Sequence, residues 1–265
     1  MNDQVQLSLE QFAGAWGLFC KAAPDGRAVS EDGIEYRFSG LPVSFFNVAI
    51  PMQPSLDAAA LRRAGERAVH WAAAAGVPWL FMATHEHLAP GVAASEALGP
   101  AGLAPVMPLT GMRAARVDPP RQAAGGLELT LPGDDAGCSA MIHVNSAAYD
   151  MPLDSGMDTL GKAAFWREHT CVVGLADGAP ASCTGVLTVG GLRYVAFVAT
   201  LPGHQRRGYA EAVMRHALVE AARRHGETPT VLHATEAGKP IYERMGYETI
   251  STHTLFMEKR FLEGH

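Results

Sequence analysis

The chain has 265 residues, of which 48% are apolar and 18% charged, with a formal net charge of −6. That composition belongs to a globular protein with a sizeable core and excludes a disordered one, and the acidic balance argues against nucleic acid as a partner. No apolar run approaches the ~18 residues needed to span a bilayer.

The N-terminus, "MNDQVQLSLEQF", is too polar for a signal peptide. The four cysteines, Cys20, Cys138, Cys171 and Cys183, lack metal-ligand spacing. A cytoplasmic protein with reduced thiols, no metal and no membrane partner is expected.

In chain order, the first half offers a strand at 41–51 ("LPVSFFNVAIP"), an alanine-rich helix at 55–75 and a strand at 77–84. A short helix follows, before Gly102-Leu103. Ser55 stands where a helix cap would. Trp71 and Trp79 are expected in the core. His85 and His87, one residue apart with no cysteine nearby, are expected in a solvated loop. Residues 115–126 ("ARVDPPRQAAGG") combine prolines, glycines and charges without apolar periodicity and read as a linker.

The second half alternates more clearly. A strand at 127–131 precedes helices at 135–149 and 157–167, the latter carrying Phe165 and Trp166 into the core. Strands at 171–176 and 181–189 flank Asp177-Gly178, a hairpin turn signal. Next come a strand (191–202), a helix (206–224), a strand (230–235), a short helix (238–246) and a strand (247–260). The order predicts a mixed α/β protein whose sheet is largely antiparallel, with flanking helices. The two halves also repeat. "LPVSFFNVAIP" aligns with "LRYVAFVATLP" at an offset of 151, and "VPWLFMAT" with "TPTVLHAT" at the same offset. Two tandem domains follow, 1–114 and 127–265, joined by 115–126.

The strand at 191–202 runs into "GHQRRGYAEAVM" (203–214). A helix N-terminus presents unpaired N–H groups at the positive end of its dipole and so receives anions. Gly208 keeps side-chain bulk away from those amides, and Arg206 and Arg207 add positive charge. The turn therefore suits a pyrophosphate. The matching place in the first half, Pro51-Met52-Gln53-Pro54-Ser55-Leu56-Asp57, has no glycine and no base, and Asp57 opposes an anion there.

Gln205-Arg206-Arg207-Gly208-Tyr209-Ala210 resembles the acetyl-CoA-binding motif of the GCN5-related N-acetyltransferases, Gln/Arg-x-x-Gly-x-Gly/Ala. Tyr242-Glu243-Arg244-Met245-Gly246-Tyr247 is similar to that family's Tyr-x-x-x-Gly-Phe/Tyr signature. The resemblance covers the whole second half and the first half in outline, making the latter a degenerate copy. It implies acetyl-CoA as co-substrate, with Gln205 among the cofactor-binding residues, the pyrophosphate on the amides of Arg206 to Ala210 and the pantetheine arm along the backbone of Val198, Ala199 and Thr200. It implies an oxyanion contact from the N–H near Val198 and a general acid at Tyr242. The strand has no carboxylate where many relatives carry their base, which leaves His233 and Glu236 as substitutes beside a water chain. Tyr149, Asp150 and Asp154 are candidates to meet a cationic acceptor, or else simply close their helix.

The function implied is acetyl transfer to a primary amine of a small molecule or peptide, by a monomer or homodimer. A non-catalytic CoA sensor, or an acyltransferase using a longer acyl group or a hydroxyl acceptor, is the alternative.

Overall fold

A computed structural model describes residues 2–119, 125–152 and 156–262. The elements are α1 (Asn2–Ala22), β1 (Arg27–Glu31), β2 (Ile34–Phe38), β3 (Asn47–Pro51), α2 (Ala58–Ala72), β4 (Leu80–Thr84), α3 (Ala94–Leu98) and β5 (Leu103–Ala114). They continue with β6 (Glu128–Thr130), α4 (Asp135–Tyr149), β7 (Thr170–Ala176), β8 (Ala179–Val189), β9 (Leu192–Thr200), α5 (Tyr209–His225), β10 (Thr230–Ala234), α6 (Lys239–Arg244) and β11 (Glu248–Glu258). Set β6 aside and the order α-β-β-β-α-β-α-β occurs twice. Even the first hairpins match: Asp32-Gly33 and Asp177-Gly178 both turn with two successive positive φ angles, 50° and 75° against 51° and 78°. Such a turn matches the right-handed twist of the strands it joins.

The chain forms two compact units that are not contiguous in sequence. The first takes residues up to Met112, Ala234–Lys239 and the chain from Thr249 onward. Its sheet runs β1-β2-β3-β4-β11-β5, so the closing strand lies inside it. β11 pairs antiparallel with β4, from His253↔Thr84 to Met257↔Leu80. Buried polar contacts fix that register. Ser251 Oγ lies 2.7 Å from Ser8 Oγ and 2.8 Å from His253 Nε2, and His253 Nδ1 lies 3.0 Å from Thr84 Oγ1. The Trp79 indole donates to Glu258. The core below gathers Phe38, Leu61, Trp79, Phe81, Leu98 and Phe256.

α1 is an element that the sequence analysis does not anticipate. It buries Val5, Leu9, Phe12, Trp16 and Phe19 on one face, a helical spacing obscured by Gly14 and Gly17. Trp71 is only half-buried, stacked on Tyr36 at 4.2 Å with the Arg27 guanidinium 4.5 Å from its ring centroid. His85 is exposed, as expected, and bonds Thr254 Oγ1 at 2.8 Å, but His87 is buried and not solvated.

The second unit, Arg113–His233 with Pro240–Glu248, has the sheet order β10-β9-β8-β7-β6, antiparallel except between β9 and β10. α5 lays Val213, Met214, Ala217, Leu218 and Ala221 on it. Gly174 of β7 permits the close approach, since a Cβ there would lie 2.9 Å from Val213. The helix expected over 157–167 is replaced by turns and a short 3-10 segment, Phe165–Glu168. Thr159 Oγ1 and the Gly161 N–H both bond the Gly156 carbonyl, a local closure that competes with helix extension. Trp166 is core as expected, its indole N–H donating to the Leu160 carbonyl at 2.7 Å. All four cysteines are free and buried.

Candidate cofactor and acyl-transfer site

β9 meets β10 over three pairs only, Arg193↔Thr230, Tyr194↔Val231 and Val195↔Leu232. Beyond them Ala196, Ala199 and Thr200 pair with β8 alone, so the two parallel strands part. The Leu201 N–H bonds the Ala181 carbonyl, a short turn covers Pro202–His204, and the chain enters the glycine turn. Arg206 has φ +62° and Gly208 φ +81°, and α5 starts at the next residue.

Gln205, Arg206, Arg207 and Gly208 are exposed, and no side chain caps the helix. The first-turn amides therefore face solvent beside two guanidinium groups, an anion-binding arrangement. The Tyr209 side chain points the other way: it is buried against Ala176 and Ala181, anchoring the helix start to the sheet. Gln205 Nε2 reaches the Thr200 carbonyl at 3.3 Å, tying the turn to β9.

The first unit closes the same place. α2 begins at Ala58, so its cap is Asp57, not Ser55: Asp57 Oδ1 accepts the Ala60 N–H at 2.7 Å. A carboxylate thus fills the position an anion would take. The chains leaving β3 and β4 are also sewn together, Leu56 N–H to the His87 carbonyl at 2.8 Å and Ala89 N–H to the Leu56 carbonyl at 2.9 Å.

The Tyr-x-x-x-Gly-Tyr spacing is a helix C-cap. The Tyr247 N–H bonds the Tyr242 carbonyl at 3.0 Å and the Gly246 N–H bonds the Glu243 carbonyl at 3.1 Å, with Gly246 at φ +87°. This is the Schellman arrangement, which needs a left-handed residue at that point. The Tyr247 hydroxyl bonds Thr230 Oγ1 at 2.9 Å and pins α6 to β10. Tyr242 is buried, with its ring 6.0 Å from that of Tyr247. Burial, then the neighbouring Tyr149 and Tyr247, pushes its pKa upward, so the phenol keeps its proton.

His233 lies just past the last β9–β10 pair, its Nδ1 3.0 Å from the Tyr194 hydroxyl. Burial pushes its pKa down to about 3. Glu236 is exposed in the turn after β10 and groups with the first unit. Tyr149 and Asp150 close α4, Asp150 at φ +53° as its C-cap. Asp154 lies outside the described residues. Tyr149 reaches β9, its hydroxyl 2.9 Å from the Val198 carbonyl. Tyr194 as partner of His233 has no signal in the sequence, since a tyrosine in an apolar strand reads as core.

The residues present fit a CoA thioester: an open strand edge, an uncapped helix start freed by glycine, and two adjacent cations. The family model for the acetyltransferase (GNAT) domain matches residues 185–250, which spans the strand, the turn and both signatures. No curated protein matches the chain.

Among solved structures, a GCN5-related N-acetyltransferase from Kribbella flavida is similar over 94% of this chain and 95% of its own, at 20% identity and a TM-score of 0.68. A GCN5-related N-acetyltransferase-like protein from Streptococcus suis 89/1591 is similar over 97% and 99%, at 13% and 0.57. A tandem GNAT protein from the clavulanic acid biosynthesis pathway is similar over 87% and 81%, at 12% and 0.53. Family model and fold agree: the chain has the GCN5-related N-acetyltransferase fold in tandem, and the GNAT family model matches within its second half.

Proposed function

We propose that the second unit binds acetyl-CoA and transfers its acetyl group to a primary amine. The observation that carries this reading is the solvent-facing, uncapped start of α5 at Gly208, set directly after a strand edge that β10 has left. Arg206–Ala210 hold the pyrophosphate through main-chain N–H groups, the Gln205 N–H being taken by the Pro202 carbonyl, and Val198–Thr200 supply the edge for the pantetheine amides. The co-substrate supplies an acetyl group already activated as a thioester.

Tyr242, protonated at every physiological pH, can donate to a departing sulfur. His233 is neutral over the same range but too weakly basic in the free protein to hold an amine's proton. The amine therefore arrives neutral or loses its proton to water, and rate comes chiefly from orientation. No helix among the described residues is long and apolar enough to cross a membrane.

The lack of a carboxylate on β9, together with the weak basicity of His233, supports a second reading in which the unit senses CoA without turnover. Thiol release from acetyl-CoA across a panel of amines separates the two. Turnover with at least one amine supports transfer. Tight binding in calorimetry with no turnover on any amine supports the sensor. Gly208→Glu puts bulk and negative charge against the pyrophosphate and is expected to weaken acetyl-CoA binding about a hundredfold or more. Unchanged affinity would remove the site altogether.

A further inference from the structure

β9 is irregular where it leaves β10. Cys183 faces Ala199 and Gly185 faces Ala196, so Phe197 and Val198 together stand opposite the single residue Thr184. That count of two against one is a β-bulge. Phe197 sits at φ +57°, a conformation a bulky residue abandons unless its surroundings hold it.

Three side chains do so. Cys183 Sγ donates to the Phe197 carbonyl at 3.4 Å, and the Tyr149 hydroxyl donates to the Val198 carbonyl at 2.9 Å. The Trp166 ring stands edge-on to Phe197 at 6.5 Å and 85°. Gly185 makes room, because a Cβ there would come within 2.6 Å of Trp166.

These contacts are unequal. A thiol is a weak donor, and ring packing has little directionality. The Tyr149 bond is the strong directional one, and it falls on the carbonyl of the residue whose edge lies in the strand gap. Tyr149 is 53% exposed, so burial does not explain its placement. Its reach from the last residue of α4 is spent on one main-chain oxygen.

We propose that Tyr149 is a positioning residue: its phenol, bound to the Val198 carbonyl, locks the β9 bulge and so fixes the Val198 peptide that polarises the thioester. This rests on the acyl-transfer reading, and it gives Tyr149 a task other than contact with the acceptor.

Tyr149→Phe removes the hydroxyl and keeps the ring. In the free protein, amide hydrogen exchange at Phe197–Ala199 is expected to rise about tenfold, the worth of one hydrogen bond. With acetyl-CoA bound, the infrared carbonyl band of the thioester is expected to return toward its solution position, and kcat to fall about tenfold to a hundredfold with the KM for acetyl-CoA nearly unchanged. Cys183→Ala should move the same exchange rates less.

Wild-type exchange and an unshifted band in Tyr149→Phe, with only the acceptor KM raised, would overturn the proposal and return Tyr149 to acceptor contact. Should the wild-type protein fail to bind acetyl-CoA, the acyl-transfer reading falls, while exchange in the free protein still decides whether the clamp exists.

Discussion

His233 shows how one half-buried side chain writes itself into the behaviour of the whole protein. Its imidazole is held by Tyr194 and its pKa is pushed down to about 3 by burial, against about 6.5 when unfolded. Between those values the unfolded chain binds a proton that the folded one refuses. The contribution to stability is therefore complete above pH 6.5 and is lost as the pH falls toward 3. At pH 5 the loss is about 1–2 kcal/mol. His233→Gln, which can still meet the Tyr194 hydroxyl, is expected to flatten the fall in Tm between pH 7 and pH 5. An identical slope in wild type and variant would show that this histidine does not control it. His87 and His169 are also shifted downward by burial and remain in both proteins, so the comparison isolates one ring.

At the scale of elements, the second signature owes its spacing to a helix ending, and its tyrosine is placed by that ending. Gly246 is confined twice. Its φ is +87°, and a Cβ would lie 2.9–3.1 Å from the Asp118 carboxylate, which is itself fixed by the Asp118 N–H on the Met245 carbonyl. Gly246→Ala is expected to cost about 1–3 kcal/mol in chemical denaturation; a change within error would mean the cap relaxes freely.

Much of this scale was legible in advance. The glycine turn, the Asp177-Gly178 hairpin and the apolar face of α5 lie in local patterns, because turn chemistry and helical period act over a few residues. The bulge at Phe197 was not, since nothing marks it in a continuous apolar run that reads like any buried strand and contains no glycine. Nor was the loss of the helix at 157–167, where a threonine hydroxyl and two glycines outweighed an acceptable apolar spacing. The cap of α2 fell two residues later than Ser55, within the ordinary uncertainty of helix ends.

At the scale of the molecule, the repeat was legible because two copies of one order of elements are improbable by chance. The destination of β11 was not, because strand pairing over long separations leaves no local trace. β11 lies between β4 and β5 in the first unit and is held by Ser8, Thr84 and Trp79. A chain ended at Glu248 should therefore lose order in residues 2–112, with protease cleavage spread through β4 and its neighbours. Survival of that region as a resistant fragment would show the first unit to be complete without its inserted strand.

The same insertion sets a timetable for synthesis. Thr84 and His253, partners in the finished sheet, are 169 residues apart. At roughly 5–20 residues per second, a ribosome that has released β4 needs about 10–30 s more to deliver its neighbour. Throughout that interval an apolar strand waits with one side open, and β5, which leaves the ribosome soon after it and lacks the same neighbour, is the strand most able to join it out of turn.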